Sequence, residues 1–166
     1  MVYLISSNVG KAMLNTTQKE LMPDEVLLMD FDELTGLDII LDGVTHHVDI
    51  TVESVTDEKG QTTEKTAYTL NGKIVKLESV LLDISGLISS GYAADLTPGQ
   101  SELIRFIFYR DHETFPAVDL AFYQHDSENC LTQLLGKSTV LVKQSKITSL
   151  VEKVNSILSA GSGSQI

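Results

Sequence analysis

Leu37-Asp38-Ile39-Ile40-Leu41-Asp42-Gly43-Val44 decides the fold. An apolar run ends in Asp-Gly, a dipeptide that accepts the left-handed backbone of a tight two-residue turn, so the chain reverses here as a hairpin. The returning segment, 44–55, alternates: Val48, Ile50 and Val52 are apolar, with Asp49, Thr51 and Glu53 between them. Period two marks a strand with one buried and one wet face, and the break in phase at Ser54 suggests a bulge.

Working outward, 56–66 is polar around Glu58-Lys59-Gly60-Gln61 and reads as a long loop or a protruding hairpin. Asn71-Gly72 is a second hairpin signal. Beyond it Ile74, Leu77, Val80, Leu82 and Ile84 predict a long strand ending near Gly86. Val26 to Met29, 116–123 and 131–142 read as further strands. Thr97-Pro98 resembles an N-cap followed by a first-turn proline, and Leu103, Ile104, Ile107 and Phe108 then predict a helix near 98–110. A second helix is expected over 146–159, where Ile147, Leu150, Val151, Val154, Ile157 and Leu158 recur at three- and four-residue steps. That stripe can dock on its own sheet, the more common arrangement, or on a partner helix. Short turns between strands imply an antiparallel sheet. The expected class is therefore α+β: a mainly antiparallel sandwich or partly open barrel with two helices. It forms a single β-rich domain over 1–160, with 161–166 as a flexible tail.

The length of 166 residues suits one domain, and 42% hydrophobic residues can fill a core. No apolar run reaches the roughly 18 residues of a membrane span. The opening residues, Met1 to Ser6, lack the basic start and apolar stretch of a signal peptide, so synthesis in the cytoplasm is expected. Cys130 is the sole cysteine and cannot form an internal disulfide.

Charge is unevenly placed. Between Lys19 and Lys59 there are twelve acids and no Lys or Arg, whereas Lys137, Lys143, Lys146 and Lys153 follow with only Glu152 against them. Such an acidic surface repels phosphates, which excludes a direct grip on DNA or RNA. An acidic run is commonly a solvated face. It can also meet a basic patch on a neighbouring copy, and Asp30, Asp32, Glu33 and Asp38 are the candidate residues for such a contact.

Catalytic and metal signals are thin. His46 and His47, as neighbours in a strand, point to opposite faces and cannot easily share one ion. His112 and His125 lie in predicted loops among acids. Cys130 precedes apolar Leu131 and reads as a small buried hydrophobe. There is no phosphate loop, nucleophile elbow, Cys-x-x-Cys pair or His-Glu-x-x-His helix. An enzyme is not expected, and neither is a metal or a cofactor.

The stretch Val52 to Val55, Thr63-Glu64 to Asn71-Gly72, and Ile74 to Ile88 resembles the Dit-like (distal-tail-like) baseplate proteins of bacteriophages. Tyr109-Arg110-Asp111, Thr114-Phe115-Pro116-Ala117-Val118, Tyr123 and Asn129-Cys130-Leu131-Thr132 continue the likeness. One extra residue stands between Thr114 and Pro116, and the gap before Asn129 is longer. The resemblance covers about 50–142. It implies a structural protein of the virion, assembled in the host cytoplasm into a ring around the tail channel, which joins the tube to the hub or fibre apparatus. Its partners would be copies of itself and other tail or baseplate proteins, with no membrane; DNA would pass unbound through an acidic lumen, for whose lining Asp30, Asp32, Glu33 and Asp38 are again the candidates. The polar segment Lys59-Gly60-Gln61-Thr62 and the helix positions Ile147, Leu150, Val151 and Val154 are the other candidate contacts. A small β-barrel that binds a ligand or protein without catalysis is the alternative.

Overall fold

The computed structural model describes residues 24–56, 60–99 and 101–162. After a short 3-10 turn at Phe31–Glu33, capped by the Asp30 carboxylate accepting from the Asp32 N–H at 2.9 Å, the chain enters a nine-stranded sheet. Its strands are β1 (Leu34–Leu41), β2 (Val44–Thr56), β3 (Thr62–Leu70), β4 (Lys73–Val75), β5 (Gly91–Tyr92), β6 (Glu102–Arg110), β7 (Ala117–Gln124), β8 (Asn129–Leu134) and β9 (Lys137–Lys143). Among the described residues two helices accompany them, α1 (Glu78–Ser85) and α2 (Gln144–Ser162). Strand order is β4-β3-β2-β1-β6-β7-β8-β9-β5, every pairing is antiparallel, and the sheet is open. The α+β class, with an antiparallel sheet and two helices, is thus the architecture of the described residues, realised as one sheet.

Turn chemistry sets the hairpins. Asp42 and Gly43 have φ of 52° and 75°, and Asn71 and Gly72 have 52° and 77°, so both loops use the paired left-handed backbone that matches strand twist. From the first turn the register runs Leu41 to Val44, then Ile39 to His46, Asp38 to His47 and Leu37 to Val48.

Alternation then sorts side chains onto two faces. Leu37 and Ile39 of β1, Val48 of β2, Ile104, Phe106 and Phe108 of β6, and Leu120 and Phe122 of β7 are fully buried on one face. On this face α2 lies with Ile147, Leu150, Val154 and Leu158 buried and Val151 and Ile157 partly so; the helix packs on its own sheet. The opposite face is largely wet, although Ala121 and Leu131, which alternation places there, are buried. After edge strand β5 the chain returns towards the middle of the sheet, where a Cβ on Gly99 would lie 3.5 Å from the Gln124 carbonyl of β7.

Several expectations are corrected. Residues 102–110 form strand β6, not a helix: Ile104, Phe106 and Phe108 repeat at period two, and this β-branched and aromatic run pairs with β1 over Leu34–Ile40. Conversely, the long strand expected from Ile74 to Ile84 is β4 followed by α1. Leu77, Val80, Leu81 and Ile84 sit at helical spacing and are buried, while Leu82 is turned to solvent. No bulge occurs at Ser54, since β2 and β3 stay in register from Val48–Leu70 to Thr56–Thr62. Val26 to Met29 is not a strand; Glu25 alone forms a bridge, to Ile88. Gly161 and Ser162 belong to α2 and not to a tail, and residues 163–166 lie outside the described residues.

Candidate interaction surface

Beyond the core the sheet sends out a bare ribbon. Rows Thr51–Ala67 to Thr56–Thr62 of β2 and β3 pair with each other and, among the described residues, with no third strand. Residues 51–56 and 62–65 are exposed, so both faces of the ribbon are wet. At about 3.3 Å per residue its six rows reach roughly 20 Å. Val52 and Val55 are 54% and 47% exposed, one on each face. The tip is tied by a 3.1 Å hydroxyl contact between Thr56 and Thr62 and by the Thr63 hydroxyl donating to the Val55 carbonyl at 3.3 Å. Of the sequence candidates here, Gly60 (φ 79°), Gln61 and Thr62 are exposed at the tip, and Lys59 lies outside the described residues.

The wet face of the main sheet carries a polar array. Asp38, projecting from β1, accepts from His47 Nδ1 at 2.6 Å and from the Tyr109 hydroxyl at 2.8 Å. The Asp38 hydrogen bond, followed by desolvation, raises the Tyr109 pKa. Gly36 lies between the two rings; a Cβ there would stand 3.4 Å from His47 and 3.6 Å from Tyr109. Further along, Arg105 grips Asp119 through two hydrogen bonds of 2.8 and 2.5 Å, and the Tyr123 hydroxyl donates to Glu102 at 2.9 Å. Burial, then that bond, raises the Tyr123 pKa.

Chemically this array is a set of satisfied cross-strand pairs. His47 faces carboxylates on both sides, with Asp49 3.6 Å from Nε2, and among the described residues none of its hydrogen bonds goes to a hydroxyl or thiol that it could activate. Among the described residues no three His, Cys, Asp or Glu side chains are grouped to hold a metal ion. His112 Nδ1 accepts from the Thr114 and Phe115 N–H groups and shapes the β6–β7 loop. Asp126 accepts from the Glu128 and Asn129 N–H groups at 2.7 Å, a turn that holds its carboxyl below the usual range. Burial pushes the Cys130 thiol up to about 11, the opposite of what a nucleophile needs.

Asp30 and Asp32 are exposed around the 3-10 turn, Glu33 pairs with Arg110, and Asp38 is engaged on the wet face. Ile147, Leu150 and Val154 belong to the core, and Val151 packs at its border. The Asp38–His47 contact could have been read in advance, because a two-residue turn at Asp42-Gly43 puts these residues opposite each other. Tyr109 could not, since β1 and β6 are some seventy residues apart. Comparison of the chain with protein-family models, curated proteins and solved structures found no match.

Proposed function

We propose that the protein is a non-catalytic structural component of a bacteriophage tail or baseplate, with the β2–β3 ribbon as its assembly arm. The ribbon is the single observation that carries this reading. An isolated two-stranded ribbon is marginal in water, and one that stands clear of its core with valines exposed on both faces gains stability by docking on a neighbour. The stretch that resembles Dit-like proteins contains the ribbon. Partners on this reading are copies of the chain and other tail or baseplate proteins, with the virion as the final location. The exposed acids would leave passing DNA unbound, since they offer no phosphate-neutralising charge. The alternative, a barrel with an internal ligand, has less support: the sheet is open, and the face that would enclose a pocket is filled by α2 and three buried phenylalanines, Phe106, Phe108 and Phe122.

The experiment replaces residues 54–64 with Asn-Gly, which closes the hairpin at the Glu53–Lys65 pair. Full-length and shortened chains are supplied to a phage deleted for its own copy, and particles are analysed by mass spectrometry. The full-length chain should enter particles, and the shortened chain should fold with an unchanged melting temperature yet stay out. Entry of the shortened chain at wild-type level overturns the arm, and failure of the full-length chain to enter overturns the phage reading.

A further inference from the structure

The two tight turns determine which backbone groups of the ribbon are left over. A two-residue turn closes on a pair that exchanges both of its N–H···O=C bonds, and along an antiparallel ladder such pairs recur at every second residue. Asp42-Gly43 closes β1 and β2 on Leu41–Val44, so even-numbered residues of β2 direct their N–H and C=O groups towards β1 and odd-numbered ones towards β3. Asn71-Gly72 closes β3 and β4 on Leu70–Lys73, so even-numbered residues of β3 face β4 and odd-numbered ones face β2. Both turns set one parity, and the register obeys it by pairing odd with odd, as in Asp49–Thr69, Glu53–Lys65 and Val55–Thr63.

Pairing with β1 ends at Asp49, and pairing with β4 ends at Tyr68. Beyond those rows Val52, Ser54 and Thr56 turn their backbone groups outwards on one side of the ribbon, and Thr62, Glu64 and Thr66 do so on the other. Among the described residues no strand pairs with either set. The two edges differ in chemistry. The β3 edge carries Glu64 and Lys65 side by side, and charge on an edge strand guards it against pairing. The β2 edge reads Thr51-Val52-Glu53-Ser54-Val55-Thr56, rich in residues that suit a strand, and its single charge, Glu53, already faces Lys65. A strand laid beside these residues continues the line of β1.

We infer that the β2 edge of the ribbon takes up an extended strand of another protein of the assembly, bonded through the backbone of Val52, Ser54 and Thr56; this rests on the ribbon being the assembly arm. Charge sets the chemistry of the occupant. β2 carries Asp49 and Glu53 on one face and no Lys or Arg, so the strand that fits presents Lys or Arg across from them. A second copy of the same edge fits poorly, because antiparallel pairing about Val52, Glu53 or Ser54 sets the two Glu53 carboxylates opposite or diagonal to each other.

Proline tests this, since it removes one N–H and is tolerated where that N–H faces outwards on an edge. Ser54→Pro and Glu64→Pro each delete an outward N–H, one on either edge, and spare the bonds between β2 and β3. In the particle experiment above, Glu64→Pro should enter at the wild-type level and Ser54→Pro at least about tenfold less, with equal melting temperatures. Val52→Pro, which deletes the next outward N–H, should repeat the loss and replaces Ser54→Pro if that variant melts early. Wild-type entry of the β2-edge variants, or exclusion of Glu64→Pro as well, overturns strand addition, while a shortened chain that stays out still upholds the arm. Entry of the shortened chain, or failure of the unaltered chain to enter, removes the arm and this inference with it. Hydrogen exchange in the isolated chain checks the occupant: the Val52, Ser54 and Thr56 N–H groups should exchange freely at every concentration. Protection at high dilution would put another segment of the same chain on the edge, and protection that grows with concentration would put a second copy there; either result overturns the inference.

Discussion

Truncating Leu150 to alanine tests whether α2 is part of the core. Leu150 is 1% exposed and sits between Ile147 and Val154, which are both fully buried, on the stripe facing the sheet. Removing three carbons forfeits about 2.4 kcal/mol of transfer free energy at roughly 0.8 kcal/mol per carbon. A cavity adds to this, and measured Leu→Ala changes span about 2.7–5.0 kcal/mol. Leu150 also borders the α1–α2 groove, into which the vacated space can open, so the cavity term is reduced and the expected loss is about 3 kcal/mol. With a urea slope of about 2 kcal/mol/M for a domain of this size, the midpoint should fall by roughly 1.5 M. Leu150→Asp should cost more, because it places a charge in the apolar stripe that faces the sheet. A midpoint shift for Leu150→Ala below about 0.3 M would show that the helix is not packed on the sheet, and the description of the core would be wrong.

Other outcomes follow from particular contacts. A Cβ on Gly161 would lie 2.7 Å from Leu70 Cδ2 and 3.2 Å from its Cγ, and Leu70 is itself 1% exposed; Gly161→Val should therefore cost about 1–3 kcal/mol in urea unfolding despite better helix propensity. Because burial raises the Cys130 thiol from 9.0 to about 11, the folded state holds that proton more tightly than the unfolded chain. Stability from this group is complete below pH 9 and declines as pH rises towards 11, and a thiol reagent at pH 8 should label only unfolded protein. Arg105→Ala should cost about 1 kcal/mol or less, falling further in 1 M salt, because the Arg105–Asp119 pair is partly exposed.

What could be read from the sequence was local. Asp42-Gly43 and Asn71-Gly72 fixed two hairpins because their residues tolerate positive φ, whereas the third such turn, Leu135-Gly136, has φ of 52° at a leucine and gave no warning. The 102–110 and 78–85 assignments exchanged identities for one reason. Leu103, Ile104, Ile107 and Phe108 satisfy a helical template while Ile104, Phe106 and Phe108 satisfy a strand template, and pairing with β1 settles which one wins. The α2 stripe was unambiguous because six positions repeat over more than three turns. The protruding ribbon was half legible: polar residues around Gly60 pointed to an exposed feature, but the strand pairing that extends it to Thr56–Thr62 depends on register. Exposure of Leu28, Leu82 and Ile88 was not legible at all, since composition counts an apolar residue without saying whether anything covers it.

The most direct test of the assembly account is hydrogen exchange of the ribbon amides, Val52–Thr56 and Thr62–Thr66, in the dissociated chain and in the native assembly. In the dissociated chain the inward N–H groups of this two-stranded ribbon are protected only by each other and should exchange far faster than those of β6 and β7. The account predicts that assembly slows the ribbon amides by at least about tenfold, towards the rates of the central strands. Ribbon amides that exchange at the same rate in both states would contradict it, because an arm that docks on a neighbour cannot open as freely as one in water.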